Sequence, residues 1–313
     1  MRFYYAGCEP DHHLATAING KARNIFLSFY HMDRTMPNLV RQATHMKRAR
    51  DAGVRIIIDS GAFTMMQEAR KVGGKANVTR AIEAYTDRYI AWASQMRSMF
   101  HYCVEMDLQH VVGLPRVQAW RRAFEAEGLR RQLWLAYHSC DDWPALDEVV
   151  QRSRWDQGGS GYMGIEGKNH PMSYRIDYRK AAMLAYRDRV CVHAFASTNQ
   201  AFLQAAPLAS SDSTSWQASE RYGTTAVYSP LKVGTVTVQP DSPDPKARVA
   251  SAARAWRRGG FAGSVDISTV RRQADEVRKY LQMERAVTGL WRARGIDWEA
   301  VEADHAAQRS AIA

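Results

Sequence analysis

Short apolar runs alternate with longer amphipathic segments along most of the chain, and this alternation constrains the fold more than any other feature. Most runs are apolar throughout, which is typical of parallel strands covered on both faces. The eight predicted strands are Ile25–Tyr30, Arg55–Ser60, Tyr102–Asp107, Leu133–His138, Tyr162–Glu166, Val190–Ala196, Leu208–Ser213 and Thr224–Ser229. Eight strand–helix alternations predict a (β/α)8 TIM barrel, with an open doubly wound sheet as the alternative.

The length of 313 residues suits a single barrel-sized unit. We expect one domain over residues 1–313, with a barrel core over about 23–266 and a C-terminal helical segment over about 267–313. The opening segment FYYAG (3–7) is expected to form an extra strand or lid before the barrel.

The charge balance indicates a polyanionic partner. Lys and Arg outnumber Asp and Glu by 43 to 32, which gives a formal net charge of +11. Basic proteins commonly bind nucleic acid, because neutralised phosphates release counterions. The alternative is an arginine bias from a GC-rich genome, with no such partner.

Neither a membrane nor a metal is expected as a partner. No run of 18 apolar residues exists, and the N-terminus lacks a charged-then-apolar signal pattern, so we expect a cytoplasmic protein. The cysteines Cys8, Cys103, Cys140 and Cys191 are widely spaced, which argues against a CxxC metal site and favours free thiols. We therefore expect no zinc and no other cofactor.

Polar residues stand where several predicted strands end, which is where TIM barrels carry their reactive groups. Carboxylates are costly to cluster, so a convergent set usually has a chemical task. The candidate residues at strand ends are Asp59, Ser60, Gly61, Asp107, His138, Gly164, Glu166 and Asp212, and His193 lies within the sixth predicted strand. Structural roles remain open, because Asp59 and Asp212 could each cap a helix and His193 could be a hydrogen-bonded core histidine.

Five strand-end segments together resemble tRNA-guanine transglycosylases. They occur in the order of that family over about residues 23–230, and they are LSFYHM (27–32), IIIDSGAFT (56–64), YMGIEG (162–167), VHAFAS (192–197) and SSDSTSW (210–216). The chain is most similar to the phage DpdA-type members, which exchange guanine in DNA for a 7-deazaguanine such as preQ0.

The resemblance implies a role for each matching residue. Asp212 matches the nucleophile, Asp59 the acid/base aspartate, and Asp107 the aspartate that binds the guanine edge. Gly164 matches the glycine whose backbone contacts the base carbonyl. The other residues implied near the base are Ser60, Gly61, Phe63, His138, Glu166 and His193.

Two departures from the tRNA enzymes bear on the substrate. His138 stands where those enzymes carry glutamine. No cysteine follows Cys191, so their structural zinc site cannot form. The first departure bears on the base contacts at this position, and the missing zinc site favours a different polynucleotide.

The resulting expectation is a DNA-guanine transglycosylase that acts on a single-stranded or flipped-out guanine. The arginines expected to contact DNA are Arg254, Arg257, Arg258, Arg271 and Arg272. The alternatives are a tRNA-guanine transglycosylase, a catalytically silent nucleic-acid-binding barrel, and an unrelated TIM-barrel hydrolase.

Overall fold

Eight parallel strands close into a barrel in the computed structural model, which describes residues 1–138, 143–166, 172–217, 225–229, 232–238 and 269–312. The predicted (β/α)8 fold is therefore confirmed. The barrel strands are β1 (Arg2–Ala6), β2 (Asn24–Ser28), β3 (Arg55–Asp59), β4 (Tyr102–Val104), β5 (Leu133–Tyr137), β6 (Tyr162–Glu166), β7 (Cys191–Phe195) and β8 (Ser210–Ser213).

Helices surround the barrel and cover the outer faces of its strands. Helix α5 shows why they do so, since its side chains Ile82, Tyr85, Tyr89 and Trp92 recur at helical spacing and are all buried. The helices are α1 (Asp11–Asn19), α2 (Phe29–Thr35), α3 (Leu39–Asp51), α4 (Ala62–Val72), α5 (Lys75–Met96), α6 (Gln109–Val112), α7 (Leu114–Ala126), α8 (Trp143–Ser153), α9 (Met172–Arg187), α10 (Gln200–Ala205), α11 (Thr269–Ala293) and α12 (Trp298–Ile312).

The N-terminal strand is part of the barrel, which corrects the expectation of an extra strand or lid. Strand β1 pairs in parallel with β2 and with β8, and its register places Tyr4 beside Asp212. Phe3, Tyr4 and Tyr5 have no exposed surface, because both faces of β1 are covered. The barrel thus begins at Arg2 rather than near residue 23.

The last predicted strand lies outside the barrel. Strand β9 (Thr225–Ser229) pairs antiparallel with β10 (Lys232–Val238) in a separate two-stranded sheet. Only two residues separate the two strands, which is a hairpin connection and too short for a parallel crossover. The predicted number of barrel strands was correct. The predicted set was β2 to β9, whereas the barrel consists of β1 to β8.

Aromatic side chains fill the barrel interior. Trp134 stacks on Tyr162 with ring centroids 4.8 Å apart, and its centroid lies 5.1 Å from that of His193. Phe26 also stacks on His193, with ring centroids 5.4 Å apart. This packed layer closes the middle of the barrel, so a ligand can enter only from an end.

The C-terminal helix contacts the amino-terminal end of the barrel. Glu302 of α12 pairs with Arg2 and lies 3.7 Å from Arg55, both of which stand at strand starts. Trp298 and Val301 of the same helix are buried. The helix therefore covers the amino-terminal end at these strands, and the opposite end, where the strands finish, is called the mouth.

No helix in the described ranges is long and apolar enough to cross a membrane.

Candidate active site

Three aspartates lie close together at the carboxyl ends of the strands, as the sequence predicted. Asp59 ends β3, Asp107 follows β4, and Asp212 lies in β8. Burial, followed by the negative charges of Asp107 and Asp212, raises the pKa of Asp59 from 3.8 to about 7. At neutral pH Asp59 therefore exists in comparable amounts with and without its proton, as general acid/base catalysis requires.

Asp212 is held by two hydrogen bonds that end on the same oxygen. Its Oδ1 accepts from His193 Nε2 at 3.1 Å and from the backbone N–H of Ala196 at 2.7 Å. Ala196 has a φ of 50°, a left-handed conformation that is uncommon for a residue with a Cβ. Such a conformation persists only where the surrounding structure enforces it. In this conformation the N–H of Ala196 points at the carboxylate of Asp212.

His193 contacts Asp212 and has no exposed surface. Its Nδ1 lies 2.9 Å from Ser210 Oγ. Because a carboxylate only accepts, Nε2 carries the proton toward Asp212 and Nδ1 can accept from the serine hydroxyl. This geometry combines the two readings of the sequence: His193 is a hydrogen-bonded core residue, and its partner is the candidate nucleophile. It does not place the ring against a substrate.

His138 bridges two carboxylates at the mouth. Its Nε2 lies 3.1 Å from Asp107 Oδ2, and its Nδ1 lies 3.4 Å from Glu166 Oε2. Burial alone lowers the pKa of His138, but the hydrogen bonds to Asp107 and Glu166 outweigh burial and raise the pKa well above its ordinary value. A protonated His138 therefore links Asp107, which is expected to bind the guanine edge, to Glu166 at the end of β6.

The turn after Asp59 is rigid and closely packed. Gly61 has a φ of 72°, and a Cβ added there would lie 2.4 Å from Tyr30 Cβ, so only glycine fits. Ser60 is buried, and its carbonyl accepts from the hydroxyl of Tyr85 at 2.6 Å. Ser60 and Gly61 thus shape the turn that carries Asp59. Phe63, in the first turn of α4, is 71% exposed.

Gly164 lies against the ring of Phe195 on the inner face of the barrel. A Cβ added at Gly164 would approach two carbons of that ring to 2.2 Å, so the glycine allows the ring to lie there. Phe195 keeps part of its surface exposed at the end of β7. A half-buried aromatic ring at the mouth can stack on a planar base, and sequence reasoning gave it no role.

Glu9 is a further carboxylate that sequence reasoning missed. It follows β1, is 7% exposed, and accepts the backbone N–H of Ser28 at 2.6 Å. Ser28 is the register partner of Asp59, and the charge of Glu9 contributes to the raised pKa of Asp59. The signal was present, since Glu9 stands at a strand end. It was overlooked because β1 was expected to lie outside the barrel.

The arginines expected to bind DNA cannot be placed against this site. Arg254, Arg257 and Arg258 lie outside the described residues. Arg271 and Arg272 fall within α11, but their side chains are likewise outside the described part.

The described cysteines are buried and the described residues form no metal cluster. Cys8, Cys103 and Cys191 are free thiols, and burial raises the pKa of Cys191 to about 12. No group of three or more His, Cys, Asp or Glu side chains suited to a metal ion occurs within the described ranges. Cys140 lies outside them.

The comparisons with known proteins assign no family to the chain. The sequence matches no protein family and no curated protein. Among solved structures, a xylanase of glycoside hydrolase family 10 from Thermobacillus composti is 15% identical, with a TM-score of 0.36 over 82% of this chain and 77% of the xylanase chain.

Proposed function

We propose that this protein is a DNA-guanine transglycosylase, which exchanges guanine for a 7-deazaguanine through a covalent aspartyl-glycosyl intermediate. The observation that carries the proposal is the pairing of Asp212, a buried carboxylate held through one oxygen, with Asp59, whose pKa of about 7 suits proton transfer. The five family-like segments in the sequence support the same chemistry.

The first displacement breaks the bond between guanine and the sugar. Among the described residues, both hydrogen bonds to Asp212 end on Oδ1, and Oδ2 is the oxygen that would attack the anomeric carbon. The electrons of the broken bond pass to guanine, and Asp59 gives guanine a proton. The products are neutral guanine and a sugar esterified to Asp212.

The second displacement reverses the first with a different base. Asp59, now a carboxylate, takes the proton from the ring nitrogen of the incoming 7-deazaguanine. That nitrogen attacks the anomeric carbon, and the Asp212 carboxylate leaves. Two inversions restore the original configuration. Water must be excluded during the intermediate, because hydrolysis would leave an abasic site.

The remaining mouth residues suit a purine-like base. Asp107 can accept hydrogen bonds from the donor edge of guanine, and His138 holds Asp107 in place at 3.1 Å. Phe195 offers a ring face at the same end of the barrel. Guanine and a 7-deazaguanine share the ring edge that Asp107 would read, so one pocket can serve both half-reactions.

Exchange of labelled guanine is the direct test. Single-stranded DNA, duplex DNA and tRNA are each incubated with radiolabelled guanine, and label incorporated into the polymer is measured. We expect incorporation into DNA and none with Asp212→Asn. Incorporation into tRNA instead would favour a tRNA-guanine transglycosylase. Binding of DNA or tRNA without incorporation would favour a nucleic-acid-binding barrel without catalytic activity. Nucleoside mass spectrometry of DNA from cells that express the chain with a preQ0 supply identifies the inserted base.

A further inference from the structure

A cleft of about 350 Å3 lies between α2, α4 and α5, directly behind the turn that carries Asp59. Two of its lining residues hold that turn: the Tyr85 hydroxyl bonds Ser60, and Tyr30 packs against Gly61. A ligand in this cleft is therefore separated from the turn of the acid/base aspartate by a single layer of side chains.

Two arginines lie over the tyrosines of this cleft. The guanidinium of Arg34 lies 5.2 Å from the ring centroid of Tyr30 and also donates to its hydroxyl. The guanidinium of Arg88 lies 5.6 Å from the ring centroid of Tyr85. Both arginines are exposed, whereas both tyrosines are buried. Arginines that are already stacked lose little side-chain entropy when they bind a phosphate.

The acidic residues of the cleft do not cancel this charge. Glu68 is paired with Lys71 at 2.6 Å, at the edge of the cleft. Asp33 lies 3.5 Å from Arg88. The pKa of Glu68 is lowered first by Lys71 and, to a smaller extent, by the charge of Arg34, so Lys71 rather than Arg34 is the main partner of Glu68. The lining carries two arginines and two carboxylates, and Lys71 beside Glu68 brings the local balance to one positive charge, which favours an anion.

We propose that this cleft binds the phosphodiester backbone of a nucleic-acid strand, next to the nucleotide whose base enters the barrel. The inference rests on the proposed function, because it assumes a polynucleotide substrate. Arg34 and Arg88 would each contact a phosphate of the nucleic acid. Tyr30 and Tyr85 contact both these arginines and the turn that carries Asp59, so they would fix the position of the phosphates relative to Asp59. Arg34 and Arg88 are not among the arginines that the sequence led us to expect as DNA contacts.

Salt-dependent binding tests the cleft without requiring catalysis. Affinity for a fluorescent single-stranded oligonucleotide is measured by anisotropy over a range of salt concentrations, for the full chain and for Arg34→Gln and Arg88→Gln. Each lost phosphate contact should lower the slope of log affinity against log salt by about 0.7, which corresponds to about a fivefold loss at 0.1 M salt. Arg34→Lys keeps the charge and should largely retain the slope.

Arg131→Gln is the matched control. Arg131 also stacks on an aromatic ring, at 4.1 Å from the Trp155 centroid, but it precedes β5 at the opposite end of the barrel. Its replacement should leave the slope unchanged. Unchanged slopes in both cleft variants would overturn the cleft assignment and leave the exchange reaction untouched. A wild-type chain that binds no oligonucleotide at all would instead overturn the cleft assignment and the polynucleotide substrate together.

Discussion

His193 Nε2 lies 3.1 Å from Asp212 Oδ1, between two neighbouring strands and with the whole imidazole buried. A ring without exposed atoms cannot reach a substrate, yet it directly contacts the candidate nucleophile. Its other nitrogen bonds Ser210, so the ring orientation is fixed from both sides. His193 is therefore a positioning residue for Asp212, and its contribution should appear in the chemical step.

Replacement of His193 by phenylalanine should lower kcat and leave KM nearly unchanged. Phenylalanine fits among the aromatic rings of Phe26 and Trp134 but cannot donate to Asp212. We expect kcat to fall by about 10- to 100-fold, as is typical when a hydrogen bond that orients a reactive group is lost. Steady-state kinetics of guanine exchange measures both constants. A rise in KM with unchanged kcat would instead indicate a substrate-binding role.

Replacement of Asp212 by asparagine should abolish exchange while the chain stays folded. The amide keeps an oxygen for the N–H of Ala196 but cannot attack the sugar. We expect a loss of at least about 1,000-fold. A denaturing gel provides the second readout, because the wild-type protein should form a covalent adduct with DNA. An adduct formed by the variant at wild-type yield would exclude Asp212 as the nucleophile.

Much of the fold followed from the sequence because apolar runs covered on both faces are distinctive. The error at β1 has a local cause: RFYYA contains three aromatic residues and no β-branched residue, and it lies where a lid was also plausible. The opposite error at β9 arose because Thr225–Ser229 has strand composition. Composition cannot distinguish a hairpin strand from a barrel strand, since the pairing partner decides.

The sequence predicted those parts of the site that depend only on where a residue stands along its strand. It did not predict the parts that depend on contacts between side chains. Asp59, Asp107 and Asp212 come together because parallel strands end at one mouth. The bridge from His138 to Asp107 and Glu166 depends on the orientation of three side chains, which the sequence does not reveal. The same holds for the cleft arginines, since the sequence does not reveal that Arg34 and Arg88 stack on tyrosines.

Replacement of Glu9 by glutamine should shift the alkaline limit of exchange to lower pH. Glutamine can still accept the N–H of Ser28 but carries no charge, so Asp59 loses a negative neighbour and its pKa falls. Asp59 must be protonated to release guanine, so the rate should decline at lower pH than in the wild type. The pH profile of kcat/KM measures the shift. Asp156→Asn, an exposed carboxyl paired with Arg154, is the control and should leave the profile unchanged.

Replacement of Asp59 by asparagine should stabilise the protein at pH 8 and have little effect at pH 4. Burial and the charges of Asp107 and Asp212 raise the pKa of Asp59 to about 7 in the folded state, against 3.8 for the ordinary group. Between these values the unfolded chain releases this proton more readily than the folded one, so the free energy of unfolding falls as pH rises through that window. Above pH 7 the folded state carries the full cost of the buried charge.

That cost is at most about 4 kcal/mol, because each pKa unit corresponds to about 1.36 kcal/mol. Asparagine removes the titration, so the variant should exceed the wild type in free energy of unfolding at pH 8 and match it near pH 4. Urea unfolding at both pH values measures the difference. Asp156→Asn is a control with the opposite sign. The hydrogen bond with Arg154 lowers the pKa of Asp156, so removing this carboxylate should not raise the free energy of unfolding. Equal stability of Asp59→Asn and wild type at pH 8 would show that the pKa of Asp59 is not raised in the folded state, as the proposed proton transfer requires.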